Sequence, residues 1–225
     1  VMEVPQTEKT PFYPRSPYGI SKVAGFWTVK NYRESYNLFC SNSINFNFEG
    51  NLRGQEFITK KVVSAAVKIK NKEQNILEIG NLYAKRDWGH AKDYVRMMWM
   101  LLQHETPEDW VIATGKTTAV RDFVRMAFAE IGVTLEFKGE GVNEKGYVKT
   151  STNPNYKLAI GKEVVAVDPR YFRPTEVDLL IGDATKAKEK LGWVPEITAL
   201  QMCREMVAHD LQQAKQHALL KQNGY

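Results

Sequence analysis

The chain has 225 residues, 43% of them hydrophobic and 25% charged, with 31 Lys and Arg against 26 Asp and Glu. Those proportions belong to globular proteins and exclude disordered, collagenous and coiled-coil chains. The length suits one large domain or two interlocked ones. No run of about 18 apolar residues occurs, so no transmembrane helix is expected. The basic residues are interspersed with acidic ones, and nucleic-acid binders need a clustered basic footprint. The polar, acidic stretch 1–10 does not read as a signal peptide. Cys40 and Cys203 lie far apart and read as reduced thiols of a cytoplasmic protein. The four histidines show no metal-ligand spacing, so no metal site is expected.

Pro5, Pro11, Pro14 and Pro17 make the first segment an extended loop, because each disfavours helix in the residue before it. A helix follows from Pro17, with Ser16 as N-cap. Ile20, Val23, Ala24, Trp27 and Val29 give its inward face, through about Tyr32. Residues 38–46 read as a buried strand and 59–69 as an amphipathic helix. Residues 76–79 read as a short strand, 90–104 as a strong helix and 110–113 as a strand. Then come a helix over 120–131, a strand over 134–138, a glycine-rich loop over 139–162 and a strand over 164–167. A short helix over 185–191 stops at Gly192, and a long amphipathic helix covers 200–220. Alternating strands and helices define the α/β class. No G-x-G-x-x-G turn, the opening of a nucleotide-binding α/β fold, occurs in the sequence.

Tyr18 and Lys22 form Y-x-x-x-K, and residues four apart share a helical face. Tyrosine is a poor base at neutral pH, with a reference pKa of about 10. A nearby ammonium favours the phenolate, which equips the pair for proton transfer to a hydroxyl or carbonyl. By itself the motif is weak, and an exposed helical pair is the better reading. Arg86, Arg173 and Lys61 are cations suited to phosphate oxygens. Each also has a plain reading: Arg86 as an ion pair with Asp87, Arg173 as a loop brace through Glu176, Lys61 as solvated surface beside Lys60. Trp88, Trp99 and Tyr94 read as core.

Six segments go further: TPFYPRSPYGISK (10–22), NYRESY (31–36), RDWGHAKDYV (86–95), VIATG (111–115), VDPRYFRPTEV (167–177) and GDATKAKEKLGW (182–193). On these, nearly the whole chain resembles the extended short-chain dehydrogenase/reductase family and, within it, the GDP-mannose 4,6-dehydratases. The resemblance implies that Tyr18 and Lys22 are the catalytic pair and also touch the cofactor, Lys22 through the nicotinamide ribose. It implies that Asn47 contacts the sugar nucleotide and Arg53 contacts NADP. Lys61, Arg86 and Arg173 would bind the GDP pyrophosphate and ribose, and Glu176 the nucleotide ribose or base. Phe48 stands where the family has a histidine that touches the cofactor.

The implied reaction is an NADP-dependent internal redox that removes water from GDP-mannose and yields GDP-4-keto-6-deoxymannose, a precursor of fucose and related deoxysugars. The family's glycine-rich turn, catalytic threonine and C5-proton base belong ahead of Val1, so the chain reads as a fragment, inactive by itself, of a lyase. The alternatives are a nucleotide-sugar-binding fragment without catalysis, or another NAD(P)-dependent sugar-nucleotide epimerase or dehydratase. The expected fold is the C-terminal part of a Rossmann-type domain (1–46 and 85–115) interleaved with a smaller α/β sugar-nucleotide domain (47–84 and 116–225). The resemblance also implies a homo-oligomer, dimer or tetramer, for the full-length protein.

Overall fold

The computed structural model describes residues 3–153, 156–171 and 179–224. Ser16 is extended (φ −152°), and its Oγ accepts from the Gly19 amide at 3.0 Å. That cap and the preset φ of Pro17 start α1, Pro17–Tyr36, which ends on Asn37 in the left-handed region (φ 51°). The expected strand over 38–46 contracts to β1, Asn42–Asn45, followed by β2, Asn47–Glu49. Leu38 and Phe39 stay exposed because the pairing begins only where Asn42 meets Asp109. Next come α2, Ile58–Lys70, and β3, Leu77–Ile79. Two strands that periodicity does not signal follow, β4, Lys85–Arg86, and β5, Trp88–His90. They are too short to carry an alternating pattern.

His90 caps α3, Ala91–Leu101, its Nδ1 accepting from the Lys92 amide at 3.1 Å. Then come β6, Asp109–Ile112, β7, Thr118–Ala119, α4, Val120–Glu130, and β8, Val133–Lys138. The expected loop over 139–162 contains a strand, β9, Lys145–Ser151. Its composition hides it: two lysines and a glycine mask the alternation. Gly146 is needed there, since a Cβ would lie 2.9 Å from the Cβ of Val165 on the next strand. The remaining elements are β10, Glu163–Val167, β11, Leu179–Leu180, α5, Thr185–Leu191, and α6, Ala199–Gln222. Gly192 at φ 67° closes α5.

The chain divides into two compact units. The first comprises Val1–Phe48, Lys85–Thr118 and Val177–Thr198. In it β1 and β6 pair in parallel, Asn42↔Asp109 through Asn45↔Ile112, and β2, which carries Asn47 and Phe48, pairs with β5. The expected division placed all of 116–225 in the other unit. The described residues 179–198 belong to this unit instead. Leu179 and Leu180 of β11 pair in parallel with Lys85 and Arg86 of β4. Ala187 and Trp193 complete a core with Tyr94, Met97, Leu101, Trp110 and Ile112. The Trp193 indole N–H donates to the Asp93 carbonyl at 3.1 Å, so burying this ring strands no polar atom. Trp88 and Tyr94 are buried as expected, but Trp99 is 64% exposed, on the outer face of α3.

The second unit comprises Glu49–Ala84, Ala119–Glu176 and Ala199–Tyr225. Its sheet runs β3-β10-β9-β8, with β3 parallel to β10 and the other pairs antiparallel. The helices α2, α4 and α6 pack on one another, burying Val62, Val63 and Ala66, then Val124, Ala127 and Phe128, then Met202, Met206 and Val207. Each fully buried aliphatic or aromatic side chain contributes roughly 1.5–3 kcal/mol. Lys60 pairs with Asp210, and Arg204 with Glu130 at 3.2 Å, which fixes α6 against α2 and α4. Both cysteines are free thiols. Among the described residues no helix is long and apolar enough to cross a membrane.

Candidate active site

In the first unit the site begins on α1. Its inward side matches only part of the stripe expected from the sequence. None of its residues is fully buried, and Gly19, Val23, Phe26, Val29, Lys30 and Arg33 form the half-covered face, so Val23 and Val29 lie on it as expected. Ile20 and Trp27, expected inward, are 58% and 54% exposed. The reason is polar. Arg33 donates to both carboxylate oxygens of Asp109, at 2.9 and 3.1 Å, and to the Cys40 carbonyl at 3.1 Å. That clasp and the edge-on packing of Phe26 against Phe12 set the helix rotation. One consequence is that Tyr18 is 71% exposed. The Lys22 ammonium lies 5.2 Å from the centre of the Tyr18 ring. Neither polar end is hydrogen-bonded to a described residue, so both remain available to a ligand.

Asn47 is half-buried on β2, and its amide side chain makes no hydrogen bond within the described residues. Phe48 packs inward against the core, 5.0 Å from the Tyr94 ring. The phenyl in the histidine's place therefore serves packing. Arg86 closes β4 and donates to the Lys85 carbonyl at 3.0 Å. The Arg86–Asp87 ion pair considered from the sequence does not form. Asp87 is fully buried, and its carboxylate accepts from the Thr114 amide (2.8 Å), the Thr114 hydroxyl (2.6 Å) and the Gly115 amide (2.9 Å). The Gly182 amide adds a longer bond at 3.3 Å. A buried carboxylate is tolerated when its lone pairs are filled in this way. Asp87 thus ties three chain segments together beside Arg86, a role the sequence reading missed. Its one signal is an acid set directly before Trp-Gly.

In the second unit Arg53 is engaged within its own loop. It pairs with Glu49 at 2.9 Å, and its guanidinium lies 3.3 Å from the centre of the Phe57 ring. Glu49 is buried and also accepts from the Thr59 hydroxyl at 2.7 Å. Burial pushes its carboxyl above the usual range, and the Thr59 and Arg53 contacts offset only part of that rise. Lys60 and Lys61 are separated in role. Lys60 is spent on Asp210 and on the Asn51 carbonyl. Lys61 has no carboxylate in ion-pair reach within the described residues and sits 3.5 Å over the Tyr171 ring. Arg173 and Glu176, the other two predicted site residues, lie outside the described residues.

An exposed phenol beside an ammonium on one helix, and a lysine without a carboxylate partner, sit on a mixed α/β framework of the Rossmann type. Two solved structures share it. RMD from Pseudomonas aeruginosa, complexed with NADPH, matches with a TM-score of 0.75 at 19% identity, covering 93% of this chain and 61% of that one. The dTDP-glucose 4,6-dehydratase of Bacillus anthracis str. Ames, in complex with NAD, matches with a TM-score of 0.71 at 20% identity, covering 93% and 57%. Residues 1–206 match the family model described as GDP-mannose 4,6 dehydratase. The chain belongs to that family. The GDP-mannose 4,6-dehydratase of Yersinia enterocolitica is 55% identical across 100% of this chain and 61% of its own length. The human GDP-mannose 4,6 dehydratase is 50% identical across 94% and 55%. The chain thus spans about three fifths of the first of these relatives.

Proposed function

We propose that the protein containing this chain is an NADP-dependent lyase that converts GDP-D-mannose to GDP-4-keto-6-deoxy-D-mannose, and that Tyr18 and Lys22 are its proton-transfer pair. The observation that carries the reading is their placement, one helical turn apart with ammonium and ring together, in a chain of this family. The NADPH complex of the Pseudomonas relative supports that cofactor. The residues present suit its nicotinamide end: both polar groups are exposed and unspent. NADP, when bound, would supply the redox chemistry by taking a hydride from C4 of the hexose and returning it to C6.

The chain's own residues do the rest. The Tyr18 phenolate oxygen accepts the proton of the C4 hydroxyl, and the Lys22 ammonium stabilises that phenolate. Lys22 also holds ribose hydroxyls. Lys61, Arg86 and Arg173 bind the diphosphate and ribose, Asn47 the sugar nucleotide and Glu176 the ribose or base. Arg53 reaches NADP by exchanging its Glu49 partner for a phosphate. Tyr18 and Lys22 of the first unit then serve the cofactor, and Lys61 of the second serves the sugar nucleotide. The full-length protein is a cytoplasmic homo-oligomer, and its product feeds fucose-type deoxysugars.

The test is incubation of the full-length protein with NADP and GDP-mannose, with loss of one water followed by mass spectrometry. Tyr18→Phe should reduce the rate by about 10²–10⁴-fold. An unchanged rate would remove Tyr18 from the chemistry, and turnover of UDP- or dTDP-hexoses instead would favour an epimerase or another dehydratase. A second reading rests on the share of its relatives that the chain spans: these 225 residues alone bind nucleotide sugar without turnover. Calorimetry with GDP, beside an activity assay of the same sample, tests it.

A further inference from the structure

Lys61 and Tyr171 come from distant parts of the second unit's sequence and meet through a locked turn. The turn is the 3-10 segment Pro169–Tyr171. The Asp168 amide donates to the Ile79 carbonyl at 2.8 Å, anchoring the turn on the end of β3. The Tyr171 amide donates back to the Asp168 carbonyl at 3.0 Å. Gly80 permits this approach: a Cβ there would stand 2.7 Å from the Tyr171 carbonyl oxygen. The Asp168 carboxylate is occupied by Arg170, whose Nη2 lies 2.6 Å from it and whose backbone amide donates to it at 2.9 Å. Asp168 faces Lys61 electrostatically, yet it is not within ion-pair reach of it. Among the described residues, the Lys61 ammonium meets the face of the Tyr171 ring, 3.5 Å from its centre.

We propose that Tyr171 is the positioning residue for Lys61, holding the ammonium by its ring so that it meets a nucleoside diphosphate already oriented. A long lysine stem loses rotamer freedom on binding, and a ring that limits that freedom beforehand reduces the loss. A ring face neutralises no charge, unlike a carboxylate, so the cation keeps its full attraction for phosphate. The inference rests on the reading of Lys61 as a diphosphate ligand and adds a residue to it.

The experiment is calorimetry of GDP and of guanosine on the full-length protein, with Tyr171→Phe, Tyr171→Leu, Lys61→Met and the Lys61→Met/Tyr171→Leu pair. Tyr171 is about half exposed, so neither substitution empties a core. Tyr171→Leu is expected to weaken GDP about two- to fivefold, the size of an exposed cation–π contact. Tyr171→Phe keeps the ring and should restore wild-type affinity. Guanosine, which has no phosphate, should not distinguish wild type from any variant. In the Lys61→Met background Tyr171→Leu should do nothing further. Equal weakening in that background, equal loss with Phe and Leu, or parallel loss of guanosine overturns the positioning role while leaving the diphosphate reading in place. Wild-type GDP affinity insensitive to Lys61→Met, or no GDP binding at all, overturns the diphosphate reading and the proposal with it.

Discussion

Arg33→Met is the substitution that tests how α1 is held. The helix carries Tyr18 and Lys22 but has no fully buried residue, so its attachment depends on few contacts. Arg33 donates two hydrogen bonds to Asp109 and one to the Cys40 carbonyl, with side chains only 14% and 17% exposed at the pair. Exposed ion pairs are worth about 0–1 kcal/mol, and breaking a fully buried one costs about 3–5 kcal/mol. This pair lies toward the buried limit, but Asn42 still donates to Asp109 at 2.9 Å after the change. A loss of about 2–3 kcal/mol follows from those limits. If the loss is local, amide exchange across residues 17–36 accelerates about 30- to 150-fold, while β6 and α5 keep their protection.

The pH dependence has a definite sign. Burial pushes the Asp109 carboxyl up, but hydrogen bonds from Arg33 and Asn42 outweigh it and hold the group below its usual range. A lowered acid contributes stability above its unfolded pKa and loses it as pH falls through the folded value. Without Arg33 the carboxyl is held down less, so this acid-side loss should shrink. Hydrogen-exchange mass spectrometry of the two proteins at neutral pH and at a pH below the ordinary aspartate value of 3.8 measures both effects. Unchanged exchange in 17–36, or equal acceleration throughout the first unit, would refute the clasp.

Gly182→Ala should destabilise the first unit by about 1–3 kcal/mol or more, because the new Cβ would stand 2.4 Å from the Ala113 Cβ and 2.7 Å from the Phe46 ring. All five tryptophans lie in that unit, so the urea midpoint by tryptophan fluorescence reports it; an unshifted midpoint would refute the packing argument. Hydrogen bonds from Lys186 and Lys190 hold Glu108 down at about 2, so its contribution should disappear as pH falls from its ordinary 4.5 toward about 2. Glu108→Gln should remove that slope and, for side chains so exposed, cost about 1 kcal/mol at neutral pH, less in high salt. An unaltered acid-unfolding profile would count against it. Burial pushes the Cys203 thiol up to about 12, so an aromatic disulfide at pH 8 should modify only Cys40 in the native chain. A second fast-reacting thiol would contradict that burial.

Helices with a cap and a one-sided apolar stripe could be read directly. Ser16-Pro17 starts α1, the valines and alanines of 59–69 define α2, and Gly192 ends α5, because those signals act within a few residues. The family segments and the Tyr18–Lys22 spacing were equally legible, since i,i+4 geometry follows once the helix exists. Long-range pairing decided the rest. β9 is a strand because β8 and β10 flank it, not because KGYVKTS alternates. The face of α1 follows periodicity only at Val23 and Val29, because Arg33 finds Asp109, 76 residues away, and an ion pair leaves no periodic trace. Residues 179–198 join the first unit through a strand pair and the burial of Trp193. Likewise, Lys60 and Lys61 are alike in sequence. Only the fold sends one to Asp210 and the other to Tyr171, because which partner stands opposite a side chain is set by how distant segments pack.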